Sequence, residues 1–139
     1  MIAETSVDVA RPRSTVVIAD DDADIRRLVA VAAERAGAVV LASVGDGASA
    51  LTAVRQLQPQ LAILDVSMPA MTGLEVCRCI RLEAGTSGVR VILVSAAVHE
   101  AAGRAAVDAG ADWYLHKPFR VRALADQIAA LLSAGLHTS

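Results

Sequence analysis

Short runs of β-branched and aliphatic residues alternate five times along this chain with longer segments whose apolar residues recur at helical spacing. The first run, TVVIA at Thr15–Ala19, is apolar after its first residue, which is typical of a strand covered on both faces of a parallel sheet. The next segment places Ile25, Leu28, Val29 and Ala32 on one helical stripe. Because parallel strands are joined by right-handed helical crossovers, the alternation predicts a three-layer α/β sandwich.

Turn and capping residues give the bounds of the predicted elements. Gly37 ends the first helix, Asp46 or Ser49 caps the second, and Pro59 follows it. The last helix is expected to end at Gly135. The predicted strands are residues 15–19, 38–43, 61–64, 89–95 and 112–116, and the third and fourth helices span residues 72–83 and 98–109. We predict a (βα)5 doubly wound parallel sheet with strand order 2-1-3-4-5.

The composition indicates one folded domain. The 139 residues are 55% hydrophobic and 20% charged, the reverse of the balance in a disordered chain. A net charge of −2 without a basic run predicts neither direct nucleic-acid binding nor attachment to a membrane. We see neither a transmembrane span nor a secretory signal, so we expect a cytoplasmic protein. Residues 1–13 are expected to form a flexible arm, 14–134 the domain and 135–139 a tail.

The cysteines and histidines indicate no site of their own. Cys77 and Cys79 lie two apart on a predicted helix, so they point to different faces and neither bridge each other nor complete a zinc site. We interpret them as small hydrophobic residues in a reducing compartment. Solvated or capping roles are expected for His99, His116 and His137.

Polar residues follow four of the five predicted strands, at the point where each strand ends. They are Asp20, Asp21 and Asp22 after the first strand, Asp65 after the third, Ser95 after the fourth and Lys117 after the fifth. Ligands of open parallel sheets bind at this edge, beside the switch point of the strand order, so these side chains should converge. Two carboxylates about 4 Å apart repel by about 4 kcal/mol at an effective dielectric constant of about 20. The cluster therefore predicts a bound cation, and oxygen ligands favour Mg²⁺.

Lys117 is the only lysine among thirteen cationic residues. A lysine is a compact point charge on a flexible stem, whereas an arginine is a planar fork. Such a charge can pair with Asp65 when the carboxylate is free and with a phosphoryl oxygen when it is modified. A carboxylate nucleophile, a metal ion, a hydroxyl and an ammonium around one point indicate phosphoryl transfer. Taken alone, a surface lysine is more often simply solvated.

Four segments, in this order and spacing, resemble the receiver domains of two-component response regulators, the CheY-like superfamily. They are VVIADDDADIRRLV, LAILDVSMPAMTGLEV, VILVSA and GADWYLHKPF, and the resemblance covers about residues 14–134. It implies a flavodoxin-like, CheY-like fold. It also implies a signalling phosphoacceptor that assists its own phosphorylation and dephosphorylation and is not an enzyme. The implied phosphoryl donor is a sensor histidine kinase or a histidine phosphotransfer protein.

The resemblance implies a role for each residue of the acidic cluster. Asp65 matches the phosphoacceptor. Asp21 is implied to ligate Mg²⁺ directly and Asp20 to do so through water. The carboxylate of Asp65 and the backbone carbonyl of Ser67 are the remaining implied protein ligands.

The resemblance also implies a switch. Ser95 and Lys117 match the groups that bind the phosphoryl oxygens, and the Lys117–Pro118 peptide is typically cis in this family. Tyr114 matches an aromatic residue that turns inward when Ser95 moves toward the phosphoryl group. This motion changes the face made by the fourth helix, fifth strand and fifth helix, which a downstream protein reads and through which receivers often form homodimers. Trp113 alternates with Tyr114 and either packs under a helix or is exposed at that face.

Three positions depart from common members of the family or adjust its chemistry. Thr72 stands where an aspartate is frequent. Ser67 and Ala97, two residues after Asp65 and Ser95, are both small. Small residues at these two places leave room for attacking water, so we predict a short to moderate phosphoryl lifetime.

Three rival interpretations of the acidic cluster each require residues or conditions of their own. An EF-hand loop beginning at Asp20 needs glycine and glutamate where this chain has Ile25 and Val31, so it is rejected. A haloacid-dehalogenase-type phosphatase needs a cap and a later acidic motif, but only Asp126 follows Lys117. A pseudo-receiver that binds partners without phosphorylation remains an alternative, against which the intact acidic set argues.

The chain ends soon after its last predicted helix, and SAGLHTS has no linker character. The opening MIAETSVDVARPRS looks like a natural start. We therefore expect a stand-alone receiver that controls a partner protein. The alternative is a receiver from a larger DNA-binding regulator or a hybrid kinase.

Overall fold

A computed structural model describes residues 14–97 and 100–138 as a parallel sheet between two layers of helices. The strands are β1 Thr15–Ala19, β2 Val39–Val44, β3 Leu61–Asp65, β4 Arg90–Ser95 and β5 Trp113–His116. The helices are α1 Ala23–Arg35, α2 Gly47–Leu57, α3 Gly73–Leu82, α4 Glu100–Asp108 and α5 Val121–Thr138. The arm expected at residues 1–13 and the solvated role expected for His99 fall outside the described residues.

The strand order is β2-β1-β3-β4-β5, and every neighbouring pair is parallel. The predicted doubly wound (βα)5 sheet is therefore confirmed. The chain moves outward from β1 to β2 and then crosses to β3 on the other side of β1. The switch point thus lies between β1 and β3, where a ligand is expected at the carboxyl ends of the strands.

Alternate residues of each strand point into one of two cores, because successive side chains face opposite sides of a sheet. One set packs with helices α2, α3 and α4; it includes Val17, Leu64 and Leu93. The other set packs with α1 and α5; it includes Ile18, Ile63 and Ile92. Strands β1 and β3 are almost fully buried, which accounts for their unbroken apolar sequence.

Strand β2 contains a bulge that its sequence did not predict. Val16 pairs with Val40 and Val17 pairs with Ala42, so Leu41 is skipped in the register. Leu41 is correspondingly one of the exposed large hydrophobic residues. A bulge of this kind is common at the edge of a sheet, and β2 is an edge strand.

Capping residues define several of the helix ends. Asp46, not Ser49, is the N-cap of α2, and its side chain accepts a hydrogen bond from the backbone N–H of Ser49. Thr72 caps α3 in a reciprocal capping box with Glu75. Gly110, after α4, has a φ of +93°, a conformation that favours glycine.

The expected end of the last helix is wrong. Helix α5 continues through Gly135 to Thr138. A glycine inside a helix is less favourable than alanine by only about 1 kcal/mol. Leu124, Ile128 and Leu132 of α5 belong to the core, so the helix is already anchored before it reaches Gly135, and a penalty of this size does not end it.

Two further predictions concern side-chain burial, at the cysteines and at Trp113. Cys77 is buried and Cys79 is half-buried, and burial raises the pKa of the Cys77 thiol to about 11. Trp113 is 44% exposed, which selects exposure from its two predicted positions. Phe119 packs against the core on the α1 and α5 side.

No helix in the described part of the chain is long and apolar enough to cross a membrane.

Candidate functional site

Four polar side chains predicted to converge lie together at the carboxyl edge of the sheet. Asp65 is the last residue of β3 and Ser95 the last of β4, while Asp20 and Lys117 directly follow β1 and β5. Asp20 is 2% exposed, Asp65 4% and Ser95 5%. Charged groups are rarely buried to this extent without a partner, so these positions point to a site.

Lys117 is the partner of both buried carboxylates. Its Nζ lies 2.9 Å from Oδ2 of Asp20 and 3.2 Å from Oδ1 of Asp65. The backbone N–H of Lys117 donates to the carbonyl of Ser95 at 2.8 Å, which ties the end of β5 to the end of β4. The Lys117–Pro118 peptide bond is cis.

The electrostatics of the site are unbalanced. Burial raises the pKa of Asp65, and the charge of Asp20 raises it further; Lys117 opposes both effects only in part. Burial lowers the pKa of Lys117, but its hydrogen bonds and charge interactions with Asp20 and Asp65 outweigh this and raise it above its usual value. The ammonium is thus held in its charged form, and the excess charge is negative.

The carboxylates of Asp20, Asp21 and Asp65 can present oxygen atoms within 4.8 Å of one another. Three carboxylates and the ammonium of Lys117 sum to a charge of −2, which one divalent cation would neutralise. Hard oxygen donors on a partly open site suit Mg²⁺, which keeps several waters. Asp21 is exposed, whereas Asp20 and Asp65 are buried, so one side of the cluster faces solvent. These residues fit a magnesium site.

Asp20 is held from three directions. Its backbone N–H donates to the carbonyl of Val44 at 3.1 Å, and its Oδ1 accepts from the backbone N–H of Asp22 at 2.9 Å. Its carbonyl accepts from Nη1 of Arg26 at 2.6 Å. These contacts restrain both the main chain and the carboxylate at the end of β1.

The acidic run of the sequence is divided by the structure. Asp22 is the N-cap of α1 and accepts from the backbone N–H groups of Asp24 and Ile25. Asp24 is exposed and forms an ion pair with Arg27 at 3.3 Å. Neither aspartate belongs to the cluster. The expected convergence of Asp22 with the other polar side chains is therefore wrong, because its carboxylate is engaged in capping α1.

The turn after β3 is shaped by close packing of its backbone. The N–H of Val66 donates to the carbonyl of Val94, and the N–H of Gly73 donates to the carbonyl of Val66, both at 2.9 Å. A Cβ on Gly73 would overlap the carbonyl of Asp65, so only glycine allows α3 to begin this close to the strand. Ser67 lies in this turn and is exposed.

The backbone of Ala97 connects Ser95 with Tyr114. Its N–H donates to Oγ of Ser95 at 3.0 Å, and its carbonyl accepts from the hydroxyl of Tyr114 at 3.2 Å. The Tyr114 ring packs against the core on the α4 side and meets the ring of His116 edge-on at 5.1 Å. The sequence singled out Ala97 only for its small size, because a backbone contact leaves no trace in residue type.

Residues 16–129 match the model of the response regulator receiver domain family. The chain is 40% identical over 124 residues to the transcriptional regulatory protein CseB of Streptomyces avermitilis, covering 89% of this chain and 51% of that protein. It is 35% identical over 120 residues to the DNA-binding response regulator MtrA of Mycobacterium tuberculosis, covering 86% of this chain and 51% of that protein. The chain thus spans about half the length of these relatives.

The fold is also that of known receivers. A CheY-like response regulator receiver domain protein from Methanospirillum hungatei superposes with a TM-score of 0.83 at 23% identity. The superposition covers 92% of this chain and 100% of that one. Family match and fold agree with the resemblance carried by the four sequence segments, and the chain belongs to the response regulator receiver domain family of two-component signalling.

Proposed function

We propose that this receiver accepts a phosphoryl group on Asp65 from a phosphohistidine of a sensor histidine kinase or of a histidine phosphotransfer protein. The observation that carries the proposal is the burial of Asp20 and Asp65 on either side of one ammonium, with Asp21 beside them. This arrangement disfavours the ionised form of Asp65 in the free protein, and a bound cation with an anionic group would complete it.

In the proposed reaction a carboxylate oxygen of Asp65 attacks phosphorus, the P–N bond to the donor imidazole breaks, and the nitrogen leaves with the electron pair. The product is an aspartyl phosphate. The nucleophile must be ionised, and the ammonium of Lys117, 3.2 Å from Oδ1, opposes the rise in pKa caused by burial. Attack of water on phosphorus later restores Asp65 and releases inorganic phosphate.

Asp20, Asp21 and Asp65, with the backbone carbonyl of Ser67, are the proposed protein ligands of Mg²⁺. When bound, the ion supplies positive charge for the phosphoryl oxygens. Lys117 neutralises a further oxygen, and the hydroxyl of Ser95 donates to another. Small residues at Ser67 and Ala97 leave a path for water, which supports a short to moderate lifetime.

The proposed switch runs through the β4–α4 loop. In the described conformation Oγ of Ser95 accepts from Ala97, and Ala97 in turn holds the Tyr114 hydroxyl. When Ser95 turns to the phosphoryl group, the backbone N–H of Ala97 loses its hydrogen-bond acceptor, so the loop and Tyr114 rearrange together. A downstream protein or a second copy of the chain then reads the face made by α4, β5 and α5, which includes the exposed Trp113.

The test is incubation with Mg²⁺ and acetyl phosphate, followed by intact-mass measurement. We expect the gain of one phosphoryl group, abolished by EDTA and by Asp65→Asn. Asp24→Asn is the matched control, because Asp24 is an exposed aspartate of the same loop region, and it should gain the group normally. A gain that persists in Asp65→Asn would contradict the assignment. No gain in any variant, from acetyl phosphate or from a phosphorylated histidine kinase, would favour the pseudo-receiver.

A second context for the same activity is favoured by the relatives. MtrA and CseB are about twice as long as the matched region and carry names of DNA-binding or transcriptional regulators. The proposal therefore includes, beside a stand-alone receiver, a receiver within a longer DNA-binding regulator. An antibody against this chain, applied to extracts of cells that naturally produce it, distinguishes the stand-alone receiver from the longer regulator. A band near 14.4 kDa supports the stand-alone protein, and one about twice as large supports the longer regulator.

We also propose that residues 14–134 form the folding unit. The core residues of the described structure run from Val16 to Leu132. Deletion of residues 1–13 should leave Tm and Mg²⁺ affinity unchanged, and a large loss of either would assign the arm a structural role.

A further inference from the structure

Arg26 reaches from α1 to the backbone of the candidate site. Its Nη1 donates to the carbonyl oxygen of Asp20 at 2.6 Å, and its side chain is partly buried. A Cβ on Gly45 would lie 3.3 Å from the same nitrogen. The guanidinium therefore fills the space between the loop after β1 and the loop after β2.

The acceptor of this hydrogen bond, the carbonyl of Asp20, lies where the pairing of β1 with β2 stops. In a parallel ladder the carbonyl of Asp20 would next pair with the backbone N–H of Asp46. However, β2 ends at Val44 and the chain turns into α2 at Asp46, so this backbone hydrogen bond is not formed in the described structure. Arg26 thus supplies a donor where the ladder stops, and a charged donor makes the stronger kind of hydrogen bond.

The carbonyl of Asp20 belongs to the planar peptide unit that joins Asp20 to Asp21. Fixing that plane restrains the backbone from which both aspartate side chains extend. Asp20 and Asp21 supply two of the three carboxylates in the acidic cluster. We propose that Arg26 is a positioning residue for the Mg²⁺ site, holding the Asp20–Asp21 peptide in the orientation that lets both carboxylates face one ion; this inference rests on the proposed function.

Positioning and charge act in opposite directions here, which makes the inference testable. A positive charge near a cation site weakens cation binding. If Arg26 acts only through its charge, replacing it with an uncharged residue should increase the Mg²⁺ affinity. If Arg26 acts through geometry, any replacement should lower the Mg²⁺ affinity, even lysine, which keeps the charge but lacks the planar fork.

The experiment is a calorimetric Mg²⁺ titration of the wild type, Arg26→Lys and Arg26→Met. Arg27→Lys and Arg27→Met are matched controls, because Arg27 is the neighbouring arginine on the same helix and pairs only with the exposed Asp24 in the described structure. We expect Kd to rise about tenfold in Arg26→Lys, the size typical for a residue that orients a metal ligand. Arg26→Met should also weaken binding, and the Arg27 variants should stay within about twofold of the wild type.

A second variant approaches the guanidinium from the other side. Gly45→Ala places a methyl group against Nη1 of Arg26. Introduced alone, it should weaken Mg²⁺ binding. Added to Arg26→Met, it should weaken Mg²⁺ binding no further than Arg26→Met does alone. This comparison remains possible through Arg26→Lys if Arg26→Met does not fold.

The outcomes separate the alternatives. Unchanged affinity in Arg26→Lys with tighter binding in Arg26→Met would show a charge effect and overturn the inference. A fall in Tm with unchanged Kd in both variants would show a purely structural role and overturn it as well. Absence of Mg²⁺ binding by the wild type would overturn the proposed function itself, and this inference with it.

Discussion

Asp65 is the residue at which the requirements of stability and of the proposed function conflict most directly. Burial and the charge of Asp20 raise its pKa, so its ionised form is disfavoured in the folded protein. A group whose folded pKa is raised contributes its full stability below the unfolded pKa and loses it as the pH rises through the folded pKa. The wild type therefore loses stability at this position as the pH rises from about 4.

Asp65→Asn should increase the free energy of unfolding without Mg²⁺ at pH 7, because the amide carries no charge that must be held in a buried site beside Asp20. The difference from the wild type should shrink toward zero below about pH 4, where Asp65 is protonated in both states. Urea unfolding across this pH range measures it. Equal differences at pH 3 and pH 7 would contradict the electrostatic explanation.

At saturating Mg²⁺ the wild type should become more stable to unfolding than Asp65→Asn, because a ligand stabilises only the protein that binds it. Asp24→Asn serves as the control at the residue scale, since Asp24 lies outside the cluster and its ion pair is exposed. Its unfolding free energy should stay within about 0.5 kcal/mol of the wild type.

At the scale of elements, the position of Asp65 depends on how closely α3 approaches the end of β3. Gly73 is buried at the start of α3, and a Cβ there would overlap the carbonyl of Asp65. The helix is anchored at that point by the Thr72–Glu75 capping box. Neither the strand nor the helix can move without displacing the turn that carries Ser67.

Gly73→Ala should lower the free energy of unfolding by about 2–3 kcal/mol, the usual result of overpacking. It should also weaken Mg²⁺ binding, because the β3–α3 turn must shift. Gly88→Ala is the matched control, since nothing lies within 4 Å of its added Cβ. Thermal unfolding and a Mg²⁺ titration of both variants measure the effect, and equal behaviour would show that the turn tolerates displacement.

The β4–α4 loop is the second element that the site depends on. Ala97 is bonded through its N–H to Ser95 and through its carbonyl to Tyr114. Because one peptide contacts both side chains, a rotation of the Ser95 hydroxyl changes the surroundings of the Tyr114 hydroxyl.

Tyr114→Phe removes that hydroxyl and leaves the ring in place. We expect a loss of about 1 kcal/mol in stability and a normal gain of the phosphoryl group from acetyl phosphate. The change in Trp113 fluorescence on phosphorylation should be smaller than in the wild type, because Trp113 adjoins Tyr114 on β5. A full-sized fluorescence change would show that the hydroxyl takes no part in the switch.

At the scale of the whole molecule, Arg81 ties together the edge of the domain opposite the site. Its guanidinium donates to the carbonyls of Gly110 at 2.8 Å and Ser87 at 3.2 Å, and to the carbonyl of Val89. It also pairs with Asp112 at 2.7 Å. These contacts join the end of α3, the start of β4 and the loop before β5.

Arg81→Met should lower the free energy of unfolding by about 3 kcal/mol, because several hydrogen-bond acceptors lose a charged donor. Arg78→Met, an exposed arginine of the same helix, is the control and should change it by less than about 0.5 kcal/mol. Urea unfolding measures both. A five-residue strand separates the two edges by about 15 Å, so the effects of Arg81→Met and Asp65→Asn should add. Strong non-additivity would show that the edges are coupled.

The sequence alone determined the parallel sheet, its five βα units and the residues at its carboxyl edge. It did so because burial on both faces requires unbroken apolar strands, and because parallel strands bring their ends to one edge. It also distinguished Lys117, since the chain uses arginine for every other cation.

Only the tertiary structure decided which groups are in contact. It separated Asp20, in the cluster, from Asp22, a helix cap, although both belong to one acidic run. It selected Arg26 over Arg27, placed Ala97 between Ser95 and Tyr114, and carried α5 past Gly135. The physical reason is that these outcomes depend on backbone acceptors and on packing between distant segments, which residue type and spacing do not encode.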